Sequence, residues 1–327
     1  MIKYIKYSSA KLFMGLFFFM SSFYAFGQND KHEVSGALEN DVYIAFRQDR
    51  YYTHGTLLHY RFAPNLPSGS TRKINSNLEK ITAEFEAGQK IFTPYYASAP
   101  DPKLHDRPFT GYLYAAAALN RFYKNENMFG LRIEAGMIGE AAKGKEAQEG
   151  FHKTFGIYEP KGWEYQLKSE FGLNLKLDYQ NLLLRSDNEW LDMTFVSSAL
   201  VGSTFSGANA GIMLRFGKMN PLSRSMSNNN LISSNVQESK SGELFLFTVP
   251  RINYVAYDAT IQGGLFREDK GPVTFDAQKL VYSQQLGIGF SSSRWSVGYT
   301  VMFRGKEVES AAKPYYYASG FLAYRFN

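Results

Sequence analysis

Leu173-Asn174-Leu175-Lys176-Leu177-Asp178-Tyr179 alternates apolar and polar side chains at almost every step. Successive side chains of a β-strand point to opposite faces, so a period of two describes a strand with one apolar and one polar face. The pattern returns in Glu84-Phe85-Glu86-Ala87 and in Arg294-Trp295-Ser296-Val297-Gly298-Tyr299-Thr300-Val301. Working outward from these stretches, it predicts strands over 34–46, 54–63, 79–92, 109–123, 127–139, 164–181, 189–200, 208–217, 242–257, 277–290, 294–304 and 315–326, twelve in all. No internal repeat, low-complexity tract or linker divides them into two domains.

The composition says what such strands build. The chain has 23 Tyr, 27 Phe and 28 Gly in 327 residues, yet no stretch beyond the N-terminus is long enough for a transmembrane helix. A transmembrane antiparallel β-barrel reconciles these facts, because its outward residues are apolar, its inward ones polar, and aromatic girdles mark both membrane interfaces. A soluble β-sandwich is the competing all-β reading. The end of the chain favours the barrel. Tyr315-Tyr316-Tyr317-Ala318-Ser319-Gly320-Phe321-Leu322-Ala323-Tyr324-Arg325-Phe326-Asn327 carries spaced aromatics almost to the C-terminus, as closing strands of outer-membrane barrels do, with Asn327 after the last Phe.

The N-terminus sets the expected compartment. Lys3, Lys6 and Lys11 precede an apolar run from Leu12 to Phe26, and Ala25-Phe26-Gly27 offers small residues at a cleavage site. We read 1–27 as a signal peptide and 28–327 as the barrel; an uncleaved anchor is the alternative, but the run is short of the roughly 20 apolar residues a spanning helix needs. With no cysteine in the chain, disulfides, thiolate metal sites and a lipoprotein signal are excluded. The formal charge of +6 falls to near +3 without the three signal lysines, so nothing supports nucleic-acid binding.

Strand parity gives the barrel a direction. Both termini of a bacterial barrel face the periplasm, so odd connections become outer loops and even ones short periplasmic turns. Lys124-Asn125-Glu126-Asn127 and Ser291-Ser292-Ser293-Arg294 fit that role. The connections 64–78 and 218–241 are long for it, and the second, rich in Ser and Asn from Ser225 to Asn235, is either a mobile excursion or a hidden helix.

Three segments at odd connections hold chemically capable residues. Glu39-Asn40-Asp41, followed by Asp49-Arg50-Tyr51-Tyr52-Thr53-His54-Gly55, offers oxygen ligands for a hard cation, although Asp, Asn and Gly also make ordinary hairpin tips. Gly88-Gln89-Lys90-Ile91-Phe92-Thr93-Pro94 leads to Asp106-Arg107-Pro108-Phe109-Thr110-Gly111-Tyr112-Leu113-Tyr114. There Asp106 and Arg107 read as a clamp at the rim, or Arg107 as a contact for an acidic lipid head group. Gln148-Glu149-Gly150-Phe151-His152 leads to Gly162-Trp163-Glu164-Tyr165-Gln166-Leu167. A helix over 143–158, in an outer loop, would put Gln148 and His152 on one face. Histidine exchanges protons near neutrality, although most loop histidines do not act as bases. There is no Gly-x-Ser-x-Gly elbow, zinc helix or phosphate-cradling glycine loop.

In order and spacing over residues 39–170, these segments resemble the outer-membrane lipid A 3′-O-deacylase family; the remainder matches as generic barrel strands. The resemblance implies a twelve-stranded barrel, monomeric and integral to the Gram-negative outer membrane, with its active face outward and lipid A or another outer-leaflet lipid of the lipopolysaccharide layer as partner. It implies calcium-dependent ester hydrolysis, with Asn40, Asp41, Thr53, Gln148 and His152 as site residues, Asp41 as the calcium ligand and His152 activating a water. Arg107, Lys143, Lys145 and Lys153 are at hand for the lipid phosphates. The chain departs from the family in three places. Thr53-His54-Gly55 stands for Thr-Asn-Gly, Tyr95-Tyr96-Ala97-Ser98 lacks the lysine some members carry after Thr-Pro, and Tyr158 stands six residues beyond the histidine where some have an acid. A non-enzymatic pore or lipid-binding barrel, and an outer-membrane phospholipase, are the rival readings.

Overall fold

The computed structural model describes residues 30–44, 50–64, 77–156, 158–233 and 242–327; the expected signal peptide lies outside them. The twelve strands are β1 (His32–Asn40), β2 (Tyr51–Phe62), β3 (Leu78–Thr93), β4 (Thr110–Tyr123), β5 (Asn127–Ile138), β6 (Glu170–Arg185), β7 (Leu191–Gly202), β8 (Phe205–Lys218), β9 (Glu243–Asp258), β10 (Leu280–Ser291), β11 (Trp295–Arg304) and β12 (Tyr315–Phe326). Each pairs antiparallel with its sequence neighbours, and β1 pairs β12 from His32↔Phe326 to Asn40↔Ala318, so the sheet closes into a barrel. A closed ladder leaves no strand edge, the condition for a sheet to cross lipid. No helix among the described residues is long and apolar enough to cross a membrane.

All twelve expected strands are present, with ends moved by local chemistry. β1 stops at Asn40 rather than 46, because the Asn40 side chain accepts the Val42 N–H and caps a 3-10 turn, Asp41–Tyr43. β6 starts at Glu170 rather than 164, because Trp163–Tyr165 winds into another 3-10 turn. The expected helix is α1 (Gly144–Phe155), shorter than 143–158 by one residue at its start and three at its end, with left-handed Lys143 and Gly156 marking its ends.

The two faces of the wall differ as the alternation requires. Val34, Leu38, Leu58, Phe85, Ile133, Phe171 and Leu173 point outward and are exposed. The inward face is polar and cross-linked. Arg325 bridges Glu33, Glu33 bridges Arg61, and Arg61 bridges Glu84. Further round, Arg132 holds Glu86 and Glu134, and Arg215, fully buried, holds Asp192. Buried charges persist only when partnered, and here the partners fill the lumen.

The end of the barrel that carries the termini is also stoppered. Residues 219–233 fold into the mouth as two 3-10 turns, Leu222–Arg224 and Met226–Asn228. The Lys80 ammonium donates to the carbonyls of Asn230 and Ile232, while Glu243 accepts the N–H groups of Asn220 and Met226. The long connection that fits poorly as a periplasmic turn is therefore a plug in its described part; residues 234–241, and most of the 64–78 connection, lie outside the described residues. With its lumen filled by ion pairs and one mouth stoppered, the purified barrel is expected to give no stepwise conductance in planar bilayers. Resolved channel openings would show that the lumen is open.

Candidate functional site

The far end of the barrel, opposite the termini, carries the connections 41–50, 94–109, 139–169, 259–279 and 305–314. The candidate site sits there, on the outside of the wall. In β1 the lumen-facing residues are Glu33, Ser35 and Ala37, and the outward ones are Val34, Gly36, Leu38 and, by the same parity, Asn40. In β2, Arg61 and His59 face in and Leu58 and Tyr60 face out, which puts His54 outward beside its register partner Asn40. In β3 the outward set is Phe85, Ala87, Gln89 and Ile91. A β-bulge at Thr53 makes this arrangement possible. Tyr52 pairs Phe92 and His54 pairs Ile91, leaving Thr53 as the extra residue between them. An extra residue reverses the side to which the following residues point. Tyr52 thus turns into the lumen, where its hydroxyl bonds Glu39 across Gly55, while His54 turns out. Tyr51, just before the bulge, has the left-handed φ of 64°, rare for a residue with a side chain.

Asn40, Thr53 and Ile91 are nevertheless buried, because α1 lies over them. Its covered face is Gly144, Gln148 and His152, spaced four apart. The helix comes close through two glycines: a Cβ on Gly144 would meet the Gly111 Cα of β4 at 3.0 Å, and one on Gly111 would meet the Gly144 backbone at 3.0 Å. The Gln89 amide also donates to the Ala142 carbonyl just before the helix, at 2.7 Å.

The following loop orients the two polar side chains of that face. The Trp163 indole N–H, which only donates, reaches Gln148 Oε1 at 2.8 Å and so fixes the carboxamide with its NH2 on the other side. Trp163 is itself held by Phe109 in a cluster with Ile91 and Ala97. His152 Nδ1 lies 2.6 Å from the Tyr158 carbonyl oxygen. A carbonyl only accepts, so Nδ1 carries the proton and Nε2 is the basic nitrogen of the neutral ring. The histidine is thus oriented by main chain.

Asn40, Val42, Thr53, His54, Ile91, Ala147, Gln148, Phe151 and His152 line one cleft between wall and helix, with a free volume of about 20 Å³, enough for one water molecule. The structure thus brings together Asn40, Thr53, Gln148 and His152. Asp41 does not line the cleft; it is buried beside it, 1% exposed, with Oδ2 accepting the Arg50 N–H at 2.8 Å. Asn40, Asp41 and Thr53 each carry a side-chain oxygen at this spot, one of them a carboxylate, and that donor chemistry fits a hard cation such as calcium. The sequence reading missed His54 as a cleft residue: its Nδ1 faces the Asn40 amide at 3.4 Å and its ring neighbours Phe151. Only the bulge reveals that it points outward. A second group with metal-ligand chemistry, His59, Glu84 and Glu86, lies in the lumen, where Arg61 and Arg132 already bind both carboxylates.

Asp106 and Arg107 are a clamp at the rim, but not of one another. Asp106 accepts the Tyr51 hydroxyl and the Tyr95 N–H, each at 2.8 Å. Arg107, 1% exposed, donates to Thr260 and Glu307 and stacks on Phe92. Burial would raise the Glu307 carboxyl, but the guanidinium groups of Arg304 and Arg107 outweigh it and hold the group below the usual carboxylate range. Arg107 is therefore committed to joining loops, and Lys143 and Lys145 pair with Glu146 and Glu149.

The close approach of helix to wall makes a specific prediction. Gly111→Val should leave a folded, heat-modifiable barrel, yet lower any activity of the cleft by about 10²-fold, since a shift near 1 Å in a reacting group costs that much. Undiminished activity would show that the helix need not touch β4.

No curated protein matches the chain. Among solved structures, LpxR from Salmonella typhimurium superposes with a TM-score of 0.70 at 19% identity, covering 90% of this chain and 100% of that one. The beta domain of the Bordetella autotransporter BrkA reaches 0.50 at 6% identity, over 91% and 100%. Both likenesses concern the fold. The family model for outer membrane protein LpxR matches residues 12–326, nearly the whole chain. The chain is an outer-membrane β-barrel that belongs to the LpxR family.

Proposed function

We propose that the protein hydrolyses the 3′-linked acyloxyacyl ester of lipid A in the outer leaflet, with the far end of the barrel facing outward. One observation carries this reading: the imidazole of His152 meets Asn40, Thr53 and Gln148 in a cleft on the outer wall of a membrane barrel, the side on which lipid lies. The long connections at that end support the orientation, since outer loops are the longer ones.

The chemistry follows from the side chains. His152 Nε2 takes a proton from a water held in the cleft while the water oxygen attacks the ester carbonyl carbon. The tetrahedral intermediate then expels the sugar oxygen, which takes the proton back from His152, and the acyl group leaves as a carboxylic acid. The Tyr158 carbonyl keeps the proton on Nδ1 before the step and stabilises the imidazolium during it. The Gln148 NH2, oriented by Trp163, is a donor for water or developing oxyanion. Calcium, which Asp41 would hold together with Asn40 and Thr53, supplies polarisation of the ester carbonyl when bound.

Lipid A incubated with the protein should lose its 3′ acyloxyacyl group by mass spectrometry. His152→Ala should slow that loss by about 10²- to 10⁴-fold, the range a general base supplies; retained activity would remove the proposed base. A glycerophospholipid in the same mixture should stay intact, and its cleavage instead would identify a phospholipase. Chelation of calcium should abolish turnover and readdition restore it, whereas indifference to chelator would remove the metal from the reading.

A further inference from the structure

Many arginines of this barrel are paired with carboxylates. Arg61, Arg107, Arg132, Arg185, Arg215, Arg304 and Arg325 each have a carboxylate within 4.0 Å. Arg50 and Lys313 do not. Both lie against the ring of Tyr95, the Arg50 guanidinium 4.4 Å and the Lys313 ammonium 4.7 Å from its centre, so the two cations are less than 10 Å apart. Among the described residues, neither has a carboxylate in salt-bridge range. The Arg50 Nε is buried without a hydrogen bond.

The arrangement is built rather than incidental. Arg50 precedes β2, Tyr95 follows β3 and Lys313 precedes β12, so three loops converge above the strands that carry the cleft. The Tyr51 hydroxyl joins them, accepting the Lys313 N–H at 2.8 Å and donating to Asp106, whose other oxygen accepts the Tyr95 N–H. Asp106 is thus engaged by two donors. The Arg50 N–H, in turn, binds Asp41 beside the cleft. Two neighbouring like charges on a fixed scaffold repel each other until an anion is shared between them. A phosphomonoester, with a charge of −1.5 to −2 near neutrality, matches the pair, and a guanidinium with an ammonium is a usual way to hold it.

We infer that Arg50, Tyr95 and Lys313 form a head-group subsite for a lipid phosphomonoester, about 10 Å beyond the cleft at the strand rise of 3.3 Å per residue. This deepens the reading under Proposed function and rests on it for the lipid's orientation: acyl chains along the wall, ester in the cleft, phosphate at the rim. The sequence offered Arg107, Lys143, Lys145 and Lys153 for this task, and the first three are engaged by Glu307, Glu146 and Glu149. Arg50 and Lys313 instead share one ring, which brings two cations together.

The test is binding, read separately from hydrolysis. The full-length His152→Ala protein in detergent is titrated calorimetrically with lipid A bearing its phosphates and with the same lipid stripped of them. The phosphorylated lipid should bind at least tenfold tighter. Arg50→Gln and Lys313→Gln should each narrow that ratio, and the double variant should bring it below twofold, with the heat-shifted electrophoretic mobility of a folded barrel retained. Lys313 is exposed, so its variant remains informative if Arg50→Gln fails to fold. A ratio unchanged in the variants, or near one in the parent, overturns the subsite. Inorganic phosphate alone binding as tightly as the lipid overturns the head-group assignment in favour of a free-phosphate site. If the wild-type protein cleaves no ester but shows the phosphate preference and its loss, the subsite stands and the esterase reading falls; the reverse pattern sinks the subsite alone.

Discussion

A strand that crosses a bilayer has nowhere to leave an amide unpaired, and this constraint governs the whole molecule. It forces the sheet to close on itself, which β1 accomplishes by pairing with β12. Closure leaves each strand residue only two directions, lipid or lumen. The lumen then becomes a place for charges that must neutralise one another, as Arg325, Glu33, Arg61 and Glu84 do in sequence. A helix, a metal ligand or a base has no room inside such a network and must be mounted at a rim or on the exterior.

The local departures from regularity supply that mounting. The bulge at Thr53 lets one strand send Tyr52 into the lumen and His54 out of it two positions later. Gly111 and Gly144 bring the backbones of wall and helix into contact, which sets how close α1 lies to the wall beside the cleft. The loop from Tyr158 to Leu167 then locks the two polar side chains from behind, through one carbonyl and one indole. None of these devices contributes a reacting group. Each narrows the positions available to one.

How much of this could be read from residues alone varied by the range of the interaction. The twelve strands were legible because alternation is a local property that a closed sheet preserves. Gln148 and His152 were legible as a pair because four residues on a helix return to one face. Strand ends were less so: Asn40 capping a turn and Trp163 entering one depend on side-chain hydrogen bonds that a hydropathy pattern does not carry. The outward aim of His54 was hidden, since a bulge is defined by what the partner strand does. The carbonyl of Tyr158 was hidden more deeply, because every residue has one. Likewise Arg107 reads like any rim cation until Glu307, distant in sequence, is found beside it.

The position of the cleft on the exterior wall bears on how concentration is measured for this protein. A ligand that reaches a wall-side opening without leaving the leaflet arrives by lateral diffusion, and the search is two-dimensional. Occupancy then follows the mole fraction of the lipid in the membrane, not its amount per volume of water. Adding inert lipid or detergent at constant bulk concentration dilutes such a ligand as surely as withdrawing it. Neighbouring barrels compete for the same lipid by crowding its surface, whether or not they touch this one.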